Sequence, residues 1–261
     1  MLIKVTNKCS MGCSHCMEDA TPEGTDMSLE TFAKALEFSE GLEALAPVRM
    51  TMLSGGEPTD HPDILELIKM AEARGHFISL LTNGLWLEDE GLRDEILSHK
   101  LAIQVTNDSR FYPEKHPLFE HPAITYVDSL SVMFPMGRFA GKESGEVPTR
   151  KAPTCFNLRS LTRNLLSVRH AVAQLRMRAL KAPIGGWCIP SINVDGTVVV
   201  GESNGCHSIG TVNSTHEELT QAIIDMKCDR CGLVENLPQE LKRAIGESSL
   251  FLSHEFSGGI K

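Results

Sequence analysis

The chain has 261 residues, 41% of them hydrophobic and 23% charged, which is enough for one or two domains with a core that needs no cross-links. A formal net charge of −9 and a pI near 5.6 argue against a general phosphate-backbone binder, so no nucleic-acid partner is expected. No apolar run reaches the roughly 18 residues of a membrane helix, and the N-terminus runs from Met1 into polar residues and cysteines without a signal-type apolar stretch, which points to a cytoplasmic protein with no membrane partner.

In chain order, Leu2 to Thr6 reads as a strand, followed by a cysteine-rich loop and a helix over Leu29 to Glu40 with Ser28 as N-cap. Val48 to Leu53 is a second strand, and a helix from Asp60 or His61 to Ala73 stops at Gly75. Phe77 to Leu81 is a third strand, Leu87 to Ser98 a helix, Leu101 to Val105 a fourth strand and Ala123 to Leu130 a fifth. Strand, loop and helix repeat at least four times, which predicts a partial (β/α) TIM-like barrel of parallel strands.

From about Arg138 the pattern changes, and a domain boundary is expected near Val147 to Pro153. Leu158 to Leu180 is a Leu, Arg and Ala-rich segment whose arginines read as a solvated or domain-bridging face. Ile192 to Val200 holds Asp195-Gly196 between β-branched runs, a hairpin signal, and Glu217 to Met226 and Gln239 to Ile245 read as short helices.

Eight cysteines in a reducing compartment are read first as metal-binding or redox groups. Cys9, Cys13 and Cys16 stand at C-x3-C-x2-C spacing directly after the first strand, where Gly12 and small neighbours let the loop curl so that three thiolates reach one polynuclear iron–sulfur cluster. A [4Fe–4S] cluster takes four ligands, so three cysteines leave one iron open for a ligand. Three free core thiols, or zinc, are the blander alternatives. At the end of the second strand, Ser54-Gly55-Gly56-Glu57-Pro58 offers glycines for close backbone approach to a ligand and a carboxylate for an ammonium group. Its place at the carboxyl end of a parallel strand is where barrel active sites sit.

These two motifs in this order resemble the radical S-adenosylmethionine (radical SAM) superfamily, over about the first 130 residues. The resemblance implies that Cys9, Cys13 and Cys16 hold a [4Fe–4S] cluster whose open iron is chelated by S-adenosylmethionine, and that Gly55, Gly56, Glu57 and Pro58 contact its methionyl amino group. It places His15 near adenine, where the family usually has an aromatic residue, and further cofactor contacts at Asn83 in Thr82-Asn83-Gly84 and Asn107 in Thr106-Asn107-Asp108. The family's Gly-x-Ile-x-Gly-x-x-Glu pattern is missing from the fifth strand. A one-electron reductant such as flavodoxin or ferredoxin is implied as partner.

Cys188, Cys206, Cys228 and Cys231 form a second set that meets if the hairpin folds back on the C-x2-C turn. Taken alone, they suit structural zinc about as well as iron–sulfur. After a radical SAM domain, they resemble the shortened SPASM extension called a twitch domain, a small α+β unit with one auxiliary [4Fe–4S] cluster. The expected division is residues 1–150 for the barrel, 151–186 for a connector and 187–261 for the auxiliary-cluster domain. Cys155 is either a small buried hydrophobe or a hydrogen-atom donor, and Arg138 is a candidate for a substrate carboxylate at the barrel mouth.

The function so implied is reductive cleavage of S-adenosylmethionine to a 5′-deoxyadenosyl radical, hydrogen abstraction, and oxidation of the substrate radical through the auxiliary cluster. The substrate is a small alcohol or sugar, or a peptide. Only eight residues precede Cys9, which favours a small substrate or a separate recognition partner over a built-in leader-binding domain. The alternatives are a redox-neutral peptide epimerase using Cys155 and a metal-thiolate interaction module without catalysis.

Overall fold

The computed structural model describes residues 1–42, 49–107, 118–127, 137–139, 190–200, 208–215, 218 and 222. Strand β1 spans Leu2–Thr6, β2 Met50–Gly55, β3 Phe77–Thr82, β4 Leu101–Thr106 and β5 Ile124–Val127, while helices α1 (Leu29–Leu42), α2 (Ile64–Ala73) and α3 (Glu90–Ser98) fill the crossovers. Strands β6 (Pro190–Ile192), β7 (Thr197–Val200) and β8 (Ser208–Thr211) follow. These eight strands lie in one sheet, ordered β5-β4-β3-β2-β1-β6-β7-β8. β1 to β5 pair in parallel and β6 is parallel to β1, whereas β7 and β8 are antiparallel.

The fold is therefore the expected mixed α/β arrangement on a parallel core. The expected hairpin is present, hydrogen-bonded to the β1 edge, so it continues the same sheet. Its turn runs from Asn193 to Gly196: Gly196 N–H donates to Asn193 O (2.8 Å), Asn193 N–H donates to Thr197 O (2.9 Å), and Gly196 takes the left-handed φ of 81°.

Strand pairing aligns Ile3 with Leu53, and Leu80 with Ile103, on one face of the sheet. That face packs with Phe32 and Leu36 of α1, Leu67 and Ile68 of α2 and Ile96 of α3 into a single core, with every one of these side chains buried. The opposite face carries Lys4, Ser54, Leu81 and Gln104 in one register row. Because β1 to β4 are parallel, the loops after Thr6, Gly55, Thr82 and Thr106 emerge from one edge of the sheet.

Two helix starts differ from the sequence reading. Residues Pro58–Asp60 form a 3-10 turn, because the Glu57 side chain accepts from Thr59 N–H, and α2 begins only at Ile64. The helix expected from Leu87 is a 3-10 turn over Leu85–Glu88 and then α3, which starts where the Asp89 carboxylate accepts from Leu92 N–H at 3.0 Å. Ser28 caps α1 as expected, accepting from Thr31 N–H at 3.1 Å. The residues of the connector and of the two short C-terminal helices lie largely outside the described residues, as do residues 128–130 of the expected fifth strand.

Helices α1 and α2 are joined by a fork: Arg74 Nε and Nη2 donate to Glu40 Oε1 and Oε2 at 2.5 and 3.0 Å. This pairing with Arg74 holds the Glu40 carboxyl below its ordinary range. A lowered folded-state pKa contributes stability above the ordinary carboxylate value that is lost as pH falls through the lowered one. Arg74→Met should therefore be less stable than wild type at neutral pH, with the two urea midpoints converging in acid. A stability gap that persists unchanged from neutral pH to acid would contradict this.

Candidate functional site

The residues between β1 and α1 fold back on the end of β1. Asn7 N–H donates to Thr25 O (2.8 Å), Cys9 N–H to Thr21 O (3.0 Å) and Met27 N–H to Val5 O (2.8 Å). Thr6 Oγ1 donates to Asp26 Oδ1 at 2.6 Å, and Lys8 Nζ pairs with the other carboxylate oxygen. Burial alone would raise the Asp26 carboxyl, but the hydrogen bonds from Lys8 and Thr6 outweigh it and hold the group low. The buried His61 closes the far end, with Nε2 donating to Met27 O (2.9 Å) and Nδ1 accepting from Asp63 N–H (3.0 Å). That pair of partners assigns the neutral tautomer with the proton on Nε2.

The loop after β2 is fastened to this one by backbone. Gly56 N–H donates to Thr6 O and Glu57 N–H to Lys8 O, both at 2.7 Å. A Cβ on Gly55 would sit 2.1 Å from Thr6 O, and one on Gly56 2.0 Å from Lys8 O. The close approach that the sequence assigns to a ligand is thus, at these two glycines, an approach to the chain itself.

Glu57 is 1% exposed, and its carboxylate is held by protein donors on both oxygens. Oε1 accepts from Thr59 N–H (3.1 Å), Thr59 Oγ1 (2.7 Å) and Thr82 Oγ1 (2.7 Å), and Oε2 accepts from Asn83 N–H (2.7 Å). Burial pushes the carboxyl up from its usual range, and the four donors pull against that. Thr82 Oγ1 also accepts from Gly84 N–H (3.0 Å) and Trp86 Nε1–H (2.9 Å), which places Asn83 with its amide nitrogen 4.0 Å from Cys9 Sγ. Thr59 escapes the sequence reading, and Thr82 enters it only within Thr82-Asn83-Gly84, although hydroxyls beside a buried carboxylate are the signal for such a network.

Cys9, Cys13 and Cys16 are free and half-buried. Burial pushes the Cys9 thiol up, and pushes Cys13 up to about 11, with Cys9 and Cys16 adding to the latter by like-charge repulsion. The three sulfurs therefore share one field, which a bound cationic group would reverse. Ala20 N–H donates to Cys16 Sγ at 3.4 Å, the kind of bond that steadies a ligating thiolate. Among the described residues, no three His, Cys, Asp or Glu side chains close to single-ion geometry. Soft thiolates in a shared, partly buried field fit an iron–sulfur cluster.

Of the other expected site residues, Pro58 opens the 3-10 turn, His15 is half-buried between Cys13 and Cys16, and Asn107 donates its N–H to Val127 O (2.9 Å) after β4. Arg138, expected at the barrel mouth, instead donates to carbonyls of the cysteine loop, Cys13 O at 2.8 Å among them. Cys155, Cys188, Cys206, Cys228 and Cys231 lie outside the described residues.

Residues 3–99 match the family model of the radical SAM superfamily. The chain carries a radical SAM domain. Among curated proteins, this domain is similar to a PqqA peptide cyclase of Ruegeria pomeroyi, 34% identical over 87 residues that make up 33% of this chain and 23% of that protein. It is also similar to a probable GTP 3′,8-cyclase of Methanopyrus kandleri, 37% identical over 90 residues, 33% of this chain and 27% of that protein. The match thus spans about a quarter of the length of these relatives. Among solved structures, native anSMEcpe with bound AdoMet and the Cp18Cys peptide aligns with a TM-score of 0.50 at 12% identity, over 95% of this chain and 87% of that one, a likeness of fold.

The glycine contacts separate two kinds of substitution. Gly12 has a φ of 63° and open space around its Cα, so Gly12→Ala should cost about 1–2 kcal/mol of strain. Gly56→Ala must push the backbones at Gly56 and Lys8 apart and should cost about 3 kcal/mol or more in urea unfolding. Equal losses for the two variants would refute the steric account.

Proposed function

We propose that this chain is a radical SAM enzyme that takes a hydrogen atom from its substrate and completes a two-electron oxidation, acting on a small alcohol or sugar or on a peptide. The observation that carries the reading is the joining of the three-cysteine loop to the Gly-Gly-Glu-Pro loop at one edge of a parallel sheet. A reduced [4Fe–4S] cluster supplies the electron that splits S-adenosylmethionine into methionine and a carbon radical able to abstract hydrogen.

In this reading Cys9, Cys13 and Cys16 hold that cluster, and Gly55, Gly56, Glu57 and Pro58 form the bed for the methionyl amino group. Glu57 acts there as the anchor of the bed, because its carboxylate already holds Thr59, Thr82 and Asn83 in place. His15, Asn83 and Asn107 complete the contacts to the remainder of the cofactor. Cys188, Cys206, Cys228 and Cys231 hold an auxiliary [4Fe–4S] cluster in a twitch-like unit over residues 187–261, after a barrel over 1–150 and a connector over 151–186. With all its irons held by cysteine, such a cluster would supply an acceptor for the substrate radical's electron, with the accompanying proton lost to solvent. A flavodoxin or ferredoxin supplies the first electron, in the cytoplasm. The names of two relatives, a PqqA peptide cyclase and a probable GTP 3′,8-cyclase, support a peptide substrate and, more coarsely, a small-molecule one.

Anaerobically reconstituted protein should contain about eight irons as two cubanes, and about four after Cys9, Cys13 and Cys16 are replaced by alanine. Reduced with dithionite, it should convert S-adenosylmethionine to methionine and 5′-deoxyadenosine, and a fully loaded protein that forms none overturns the reading. Glu57→Ala removes the acceptor that holds Thr59, Thr82 and Asn83 in place, so cofactor affinity should fall about tenfold or more before iron content does. With the true substrate, a product two mass units lighter supports oxidation, and unchanged connectivity with one solvent deuteron supports epimerisation through Cys155.

A further inference from the structure

The short turn Gly137–Phe139 lies against the cysteine loop more closely than any ordinary side chain would permit. Gly137 has a φ of 54°, and a Cβ there would sit 2.5 Å from Met17 O and 2.8 Å from Cys16 O. Phe139 is 4% exposed and anchors the turn. Between them, Arg138 is bonded to the loop at several points. Its backbone N–H donates to Cys16 O (2.9 Å), Nη1 to Cys13 O (2.8 Å) and Nη2 to Ala20 O, while Nε pairs with Asp19 Oδ1 at 3.4 Å.

The side chain itself meets two carbonyls, Cys13 O and Ala20 O, and the Asp19 carboxylate, an arrangement around a planar fork that arginine satisfies and lysine, a flexible point charge, does not. With its backbone N–H on Cys16 O as well, the residue ties together the segment that curls from Cys13 to Ala20. Asp19 is 64% exposed and its pairing is long, so it cancels little of the guanidinium charge.

We propose that Arg138 is a positioning residue for the cluster that Cys9, Cys13 and Cys16 would hold: it locks the curl of their loop and sets a fixed positive charge beside it. This rests on the proposed cluster reading. A cluster bound by three thiolates becomes more negative on reduction, and a cation fixed nearby stabilises that reduced state. Removing the fork should loosen the loop, and removing the charge should make reduction harder.

The test compares wild type, Arg138→Lys, Arg138→Met and Arg138→Gln after anaerobic reconstitution, with folding of each checked by circular dichroism. Two quantities are read: the rate of iron release to a chelator, and the midpoint potential of the electron paramagnetic resonance signal that Cys13→Ala abolishes. All three variants should release iron about 10- to 100-fold faster, if the affinity loss of that size that follows deletion of an outer partner of a metal ligand falls on the release step. Only Arg138→Met and Arg138→Gln should shift to a more negative potential, whereas Arg138→Lys stays near wild type. If one neutral variant fails to fold, the other carries the measurement. An unchanged potential, or unchanged iron release, in the neutral variants overturns the proposal. A wild-type protein with no signal dependent on Cys13 overturns the cluster reading itself, and this inference with it.

Discussion

Everything at the candidate site depends on the closeness of two backbones. The chain leaving β1 and the chain leaving β2 touch through Gly56 N–H on Thr6 O and Glu57 N–H on Lys8 O. That contact exists only because neither Gly55 nor Gly56 has a Cβ. Parallel pairing of β1 with β2 sets the two loops at one edge, and the two hydrogen bonds then fix their relative height. The cysteine-bearing loop and the loop expected to bind the methionyl group thus form one rigid object, with the precision that a functional constellation needs.

Charge is distributed around this object in a consistent way. Glu57 is buried and supplied with donors on both oxygens, so its carboxylate orders three neighbours. Lys4, on the face of the sheet away from the main core, is 1% exposed and pairs with Glu18 at 2.7 Å, joining β1 to the segment just after Cys16. Arg138 serves the same segment from outside. The thiols, by contrast, disfavour one another's ionisation, with Cys13 pushed up to about 11 chiefly by burial. A loop braced by Asp26, Lys4 and Arg138, with Cys9 and Cys13 held as thiols until a cationic group stabilises their thiolates, has the electrostatics of a site shaped for a metal cluster.

Much of this is legible in the sequence, because hydrophobic periodicity and glycine placement are local signals. β1 is expected over Leu2–Thr6 and forms there; the start of α1, the end of α3 and the C-x3-C-x2-C loop are equally readable. The start of α2 is not, because the capping carboxylate, Glu57, also belongs to the site, and its bond to Thr59 draws the chain into a 3-10 turn. Nor is the attachment of the hairpin to β1, since pairing of residues 2–3 with 191–192 is a long-range contact with no local signature. The loop-binding part of Arg138 is not legible either: sequence offers it only as a candidate for a substrate carboxylate, because its partners are mostly backbone carbonyls from Cys13 to Ala20, and a carbonyl carries no residue identity.

Amide hydrogen exchange at Gly56 and Glu57, measured by nuclear magnetic resonance on the protein without cluster or cofactor, tests the claim of a preformed bed most directly. Both amides are bonded to carbonyls at the end of β1 and in the cysteine loop, so they should exchange as slowly as core amides of β2 and β3. Exchange at the rate of exposed loop amides would show that the two loops separate when no cofactor is bound, contradicting the account.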